Sequence, residues 1–342
     1  MSEKEAILGI DISKDKFSAA LLKGEKKSQF KEFANNLEGF EQFKKWLEQN
    51  QLERVHACLE ATSTYGHSVA TYLHGLGHIV SIVNPARIKG FAQSRLSRTK
   101  NDQADATTIA RFCAALKPQA WIPPSPEMAQ LQSYSRRLRA LEQMATQEKN
   151  RLKTTVDESL IEDIEAHLVF LETQIDNVKK RQKELLNEYS SLKSQADLLT
   201  SIVGIGEPTA MTILAEIGDI NQFSSARQLA AFAGLTPQEH QSGTSVKGKT
   251  RLCKIGNPHL RKALYFPALS SIRHCSPMKD LRERFLEAGK NKMQIVGVVM
   301  HKLIRIVYGV LKSGKPFDQT KLALPNVVLE EETDFLPQQF SL

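Results

Sequence analysis

Apolar positions in the first third of the chain come in short runs separated by polar and turn residues, a pattern that predicts strands. Residues 6–12 (AILGIDI) and 16–23 (KFSAALLK) are β-rich runs with a short turn between them, a hairpin signal, and 28–33 (SQFKEF) suits a third strand. The spacing turns helical over 37–50. Residues 54–61 (RVHACLEA) predict a strand, 65–76 a helix and 78–83 (HIVSIV) another strand. Asn84-Pro85 ends that strand, because a proline restricts the backbone of the residue before it. Asp102–Leu116 predicts a further helix. The order βββαβαβα predicts an α/β sheet domain.

After Pro118, Pro123, Pro124 and Pro126 the pattern lengthens: no proline occurs from 127 to 207 and no glycine from 91 to 203. Leu131, Leu138, Ala145 and Leu152 repeat every seven residues, with Tyr134 and Leu141 between them. Ile164, Leu171, Val178 and Leu185 repeat in the same way, with Leu168 and Ile175 between, and the two segments part near Asp157–Asp163. This predicts two long helices, either a coiled-coil hairpin, which would bring subunits together, or an ordinary bundle. Residues 198–218 predict a helix end, a Gly204-Ile205-Gly206 turn and a helix opened by Pro208. That is either a helix-hairpin-helix, whose Gly204–Gly206 turn offers backbone N–H groups to a phosphate, or a simple helical corner. The rest, through Lys312, is expected to be mostly helical. Ile295–Leu311 is apolar but broken by His301, Lys302 and Arg305, so it reads as a buried helix and not a membrane span. The end (LEEETDFLPQQFSL) reads as an acidic tail, and MSEKEAILGIDIS lacks the basic start and apolar core of a signal peptide.

With 342 residues, 41% apolar and 25% charged, the chain can bury a core and form two or three domains. The net charge of +8 suits a polyanionic partner. Its distribution says more. Residues 84–101 hold five Lys/Arg (Arg87, Lys89, Arg95, Arg98 and Lys100) and no acid. Residues 241–262 hold six, among them Lys247, Lys249, Arg251, Lys254 and Arg261, again without an acid. Each is either a solvated surface or a phosphate-contacting segment. Cys58, Cys113, Cys253 and Cys275 form no CxxC pair, which argues against a zinc ribbon or a disulfide framework and fits a reducing cytoplasm.

Four acids carry candidate chemistry. Asp11 ends the first strand (LGIDISK), Glu60 ends a later one (ACLEAT), and Asp102 and Asp105 open a helix (KNDQADA). Helical carboxylates at i and i+3 share a face, and strand-end carboxylates can meet them at a sheet edge. An acid straight after ILGI is costly unless it serves a site. Asp102 alone could be a helix cap. Four acids around one pocket repel unless cations sit between them, and oxygen-only ligands favour Mg²⁺ or Mn²⁺. Two such ions stabilise the attacking and leaving oxygens of phosphoryl transfer. The element order with this D…E…D..D pattern resembles the ribonuclease-H-like, RuvC-like nuclease fold, which implies catalytic metal-binding roles for Asp11, Glu60, Asp102 and Asp105.

Residues 232–262 read FAGLTPQEHQSGTSVKGKTRLCKIGNPHLRK. Gly234-Leu235-Thr236-Pro237, Ser242-Gly243, Gly256-Asn257-Pro258 and Leu260-Arg261, together with the acid set, resemble the transposases of insertion sequence family 110, the bridge-RNA-guided recombinases. The resemblance covers nearly the whole chain. It implies a RuvC-like metal domain over 1–120, coiled-coil helices over 127–195, a mostly α-helical transposase domain over 196–315 and a tail over 316–342. It implies Ser242 as a nucleophile that stores the phosphodiester energy in a phosphoserine link, with metal and acids in another domain and hence a composite site. Thr244 and Ser245 are neighbouring hydroxyls, and the residues alone would make Ser242 a polar turn. Lys247, Lys249, Arg251 and Arg261 fit as phosphate clamps. The resemblance further implies donor and target DNA, a guide (bridge) RNA pairing with both, and a homo-oligomer, expected as a dimer of dimers in a prokaryotic cytoplasm at the nucleoid, with no membrane partner. A Holliday-junction-resolvase-like nuclease using water, and a non-catalytic nucleic-acid scaffold, are the competing readings.

Overall fold

The computed structural model describes residues 6–23, 27–61, 65–95, 101–238, 241–242, 246–247 and 251–322. The chain forms two compact units, Met1–Pro123 and Pro124–Leu342. The first is a mixed α/β sheet unit and the second is mostly helical.

In the first unit the strands are β1 (Ala6–Ile12), β2 (Lys16–Lys23), β3 (Lys27–Ala34), β4 (Val55–Glu60) and β5 (Ile79–Val83), in the order β3-β2-β1-β4-β5. β1, β2 and β3 pair antiparallel through tight connections. β4 and β5 join in parallel, which needs crossovers, and α1 (Leu37–Gln49) and α2 (Gly66–Gly75) supply them. Phe17, Phe33, Phe40, Phe43 and Trp46 cluster on one sheet face with Leu8 and Ile10. On the other face Cys58, Val83, Ile109, Phe112 and Cys113 pack together. There α4 (Asp102–Leu116) lies directly on β1. A Cβ at Gly9 would stand 2.1 Å from the Ala106 carbonyl oxygen and 2.2 Å from the Ala110 nitrogen, so only glycine lets the helix backbone come this close.

One element departs from the expected order. Pro85–Ser94 forms a helix, α3, before α4, within the basic stretch that carried no predicted element. Asn84 caps it by accepting from the Ala86 N–H at 2.8 Å, and Pro85 stands in its first turn. Asn84-Pro85 therefore both ends β5 and starts α3. Only Ile88 on this helix is buried, so it lacks the apolar period that reveals longer helices.

The second unit begins with α5 (Pro126–Leu152) and α6 (Glu158–Glu188). They pack along each other through Leu141 and Ala145 of α5 and Leu168, Leu171, Ile175 and Val178 of α6. A buried Gln182–Ser135 hydrogen bond of 3.1 Å sits in the same seam. Then follow α7 (Ser190–Thr200), α8 (Glu207–Ile217), α9 (Ala226–Phe232), α10 (Pro258–Ala263), α11 (Tyr265–His274), α12 (Ser276–Glu287) and α13 (Lys292–Ser313). Between α9 and α10 lie β6 (Pro237–Gln238), β7 (Gln241–Ser242), β8 (Val246–Lys247) and β9 (Arg251–Leu252). They pair as β6–β9 and β7–β8, ladders too short to leave a period in the sequence. α13 is long and apolar enough to cross a membrane by length and composition. In this fold its Val299, Leu303, Ile304 and Val307 lie in the core against α7, α9 and α11.

Candidate carboxylate centre and nucleic-acid interface

Strand register brings the acids of the first unit together. Ile10 of β1 pairs with Leu59 of β4 in parallel, so Asp11 and Glu60 follow side by side at the same end of neighbouring strands. Asp102 and Asp105 lie in the first turn of α4, which packs across β1 and β2, and Asn101 caps that helix through its side chain. Asp102 is therefore not the cap.

The charges act on one another. Burial, then Asp105 and Asp102, push the Asp11 carboxyl above its ordinary range, against smaller opposing effects of the Ile12 backbone and Lys16. Burial, then Asp11 and Asp105, raise Glu60. Asp102 meets a cation instead: Lys16 Nζ lies 3.0 Å from its Oδ2 and 2.9 Å from Glu32 Oε1. Hydrogen bonds to Glu32 and Asp102 raise the Lys16 ammonium. With side-chain exposures of 48% and 53%, the Lys16–Asp102 pair adds little to stability. Glu32 and Lys16 were missed in the sequence. The signal lay in the register, since Asp11 faces Ser18 and Ser18 faces Glu32 across three strands.

As placed, no three His, Cys, Asp or Glu side chains among the described residues stand close enough to share a metal ion. The donor chemistry nevertheless fits a hard divalent cation. The donors are all oxygen, and burial together with neighbouring carboxylates (Asp105 and Asp102 on Asp11, Asp11 and Asp105 on Glu60) disfavours the charged forms of Asp11 and Glu60 in a way a cation would relieve.

The basic positions divide. Arg87 and Lys89 on α3 and Arg95 at its C-cap are exposed. The Arg87 guanidinium lies 5.4 Å from the Phe112 ring centroid and that of Arg95 5.8 Å from Phe91. Arg98, Lys100, Lys249, Thr244 and Ser245 fall outside the described residues.

In the second unit Ser242 pairs with Val246 and Gln241 with Lys247 across β7–β8. Arg251 and Lys254 are exposed. Arg261 instead donates from Nη1 to the Ala233 carbonyl at 3.0 Å. The segments around Gly234 and Gly256 are tied backbone to backbone: Asn257 N donates to Phe232 O at 2.7 Å and Lys254 N to Gly234 O at 3.1 Å. Gly256 has φ +146°, and a Cβ there would stand 2.4 Å from Phe232 O. Asn257 Oδ1 caps α10, and its Nδ2 donates to Glu216 at 2.7 Å. Glu216 also holds Arg139. Glu216 and Arg139, which sequence reading did not single out, thus anchor the Asn257 motif.

In the glycine turn, Gly206 is exposed and precedes α8 with no side-chain cap. Gly204 is different. Its φ is +94°, a Cβ would meet Pro267 O at 2.6 Å, and the neighbouring Val203 carbonyl accepts from Ser271 Oγ. The turn is held against α11 on that side.

The relatives of this chain fit these features. A family model described as a transposase matches residues 8–161, and one described as the transposase IS116/IS110/IS902 family matches 196–283. The pilin gene-inverting protein of Moraxella bovis is 33% identical over 317 residues, covering 91% of this chain and 97% of its own. This chain belongs to the IS110 family of transposases. The pilin gene-inverting protein of Moraxella lacunata is also 33% identical over the same shares. The transposase for insertion sequence element IS1111A of Coxiella burnetii is 24% identical, with 82% of each chain covered. As an IS110-family transposase the chain is a DNA recombinase, and DNA is its partner. The two matched regions contain the four acids and the Ser242 motif respectively.

Proposed function

We propose that the chain cuts and rejoins DNA through a phosphoserine intermediate formed at Ser242, with Asp11, Glu60, Asp102 and Asp105 as ligands of Mg²⁺ or Mn²⁺. The observation that carries this reading is the gathering of Asp11 and Glu60 at one end of paired strands near the start of α4, where burial first and neighbouring carboxylates second raise both groups. Bound there, a divalent ion supplies charge neutralisation at the scissile phosphate. In the reading, the Ser242 oxygen bonds to phosphorus as a strand oxygen leaves with the proton. The hydroxyl of a second DNA end then displaces Ser242, which recovers its proton, so no ATP is consumed. Arg87, Lys89, Arg95, Arg98 and Lys100, and Lys247, Lys249, Arg251 and Lys254, are assigned to backbone phosphates. Arg261, tied to Ala233, is assigned first to holding the motif, and Gly204 and Gly206 to a phosphate-facing turn through the exposed Gly206 side.

The sheet unit fits a ribonuclease-H-like metal domain over 1–120. The helices over 127–195 fit a coiled coil, 196–315 a transposase domain and 316–342 a tail. A bridge RNA that pairs with donor and target DNA, a dimer of dimers, and action in the cytoplasm at the nucleoid complete the proposal. The relatives' name as gene-inverting proteins supports the same chemistry, since exchange between two sites on one DNA molecule inverts the segment between them.

The test is a denaturation-resistant protein–DNA adduct. It is expected with Mg²⁺, lost in EDTA and in Ser242→Ala, and lost in Asp11→Asn. Metal-dependent cutting with no adduct in the wild type would favour the water-using nuclease instead.

A further inference from the structure

Between α3 and α4 the first unit carries a small cavity of about 180 Å³ lined by Ala92, Arg95, Thr108 and Arg111. Two guanidinium groups thus line one concave site. Among the described residues neither forms an ion pair with a carboxylate. The guanidinium of Arg95 lies 5.8 Å from the Phe91 ring centroid, a cation–π contact that does not use its N–H donors. Arg111 Nε is out of contact with solvent and has no hydrogen-bond partner among the described residues. Thr108 already donates its hydroxyl to Ala104 O at 2.7 Å, so it shapes the wall.

Such a site is built for an anion. An arginine fork recognises a tetrahedral oxyanion through parallel N–H donors, and a buried guanidinium N–H left unmade costs free energy that an oxyanion restores. Arg111 also lies six residues beyond Asp105 on α4, about 9 Å along the helix axis. We infer that Arg95 and Arg111 form a phosphate pocket that holds a backbone phosphodiester of the DNA beside the carboxylate centre. The DNA as occupant follows from the family, and Arg87 and Lys89 are further exposed cations on α3. The pocket deepens the phosphate role proposed above for Arg95, and the identity of the neighbouring centre rests on the metal reading proposed there.

The test has two arms, both in EDTA so that metal chemistry plays no part. In the first, arginine Nε–H resonances of ¹⁵N-labelled protein are followed as inorganic phosphate is added. The Arg111 signal, assigned by its loss in Arg111→Lys, is expected to shift and saturate. In the second, affinity for a short fluorescent DNA duplex is measured against salt. Arg95→Gln/Arg111→Gln is expected to flatten the log K against log[salt] slope by about 1.8, the value for two lost phosphate contacts. Lys279→Gln, on exposed α12, serves as the charge control. If the double variant does not fold, Arg111→Lys is read instead: it keeps the charge and loses the fork, and weaker binding with an unchanged melting temperature is the expected result. A slope no flatter than that of Lys279→Gln, no phosphate-dependent Nε shift, or a flattened slope on RNA but not on DNA each overturns the pocket. If the slope flattens while the wild type shows no metal-dependent cutting, the carboxylate reading fails and the pocket stands.

Discussion

The two units hold their chemistry-bearing residues by opposite means. In the first, the acids sit on long regular elements, and a glycine contact welds β1 to α4 so that repelling carboxylates are kept near one another. In the second, Ser242 lies on a two-residue ladder, and the surrounding motif is organised by side-chain and turn contacts that converge on Glu216 and Asn257. Like charges need a stiff frame because they push it apart. A motif that bends the chain sharply needs anchors at its corners.

The largest effect should come from breaking the weld. Gly9→Val is expected to destabilise the first unit by more than about 3 kcal/mol, read from urea unfolding, because a Cβ there collides with helix backbone that cannot swing aside. Near-native stability would mean that β1 and α4 are not in such contact.

Acid should separate the units. Burial, Arg305 and Lys302 depress His301 of α13 to about 4 from 6.5. A group depressed in the fold binds its proton more readily when unfolded. The second unit should therefore lose up to about 3 kcal/mol as pH falls from about 6.5 to 4. Asp11 and Glu60 are raised, so their contribution has the other sign: the first unit gains as pH falls through their elevated values. Comparing melting curves of the wild type and His301→Gln across this range isolates the first effect, and identical acid sensitivity would remove it.

Glu216→Gln should cost about 2 kcal/mol, since it strips Arg139 and Asn257 of a largely buried charged partner. Strand exchange should fall with it, while DNA binding stays near that of the wild type. A smaller gain is expected from Asp11→Asn, about 1 kcal/mol of added thermal stability in EDTA, because it removes a charge that burial and then Asp105 and Asp102 disfavour. The proposed metal site further predicts that Mg²⁺ raises the melting temperature of the wild type and not that of this variant. A variant no more stable than wild type would show that the crowding is weaker than the fold implies.

Much of this was legible in the residues. Short β-rich runs exposed the five strands of the first unit, heptad spacing exposed α5 and α6, and the positions of Asp11, Glu60, Asp102 and Asp105 followed from where the strands end and α4 begins. α3 was hidden because one buried side chain carries no period, and β6 to β9 because two residues carry none. Lys16 and Glu32 needed strand register, and Arg111 and Glu216 needed contacts between elements distant in sequence. Such pairings leave no local trace.

The position of α13 has a consequence for synthesis. The first unit draws its contacts from residues the ribosome delivers early, ending at Pro123. The second unit's core takes Val299, Leu303, Ile304 and Val307 from α13, the last long helix among the described residues to emerge. A nascent chain therefore carries a finished sheet well before its helical half can close, and a message cut short before codon 292 yields a product with an uncovered apolar surface suited to chaperones and proteases.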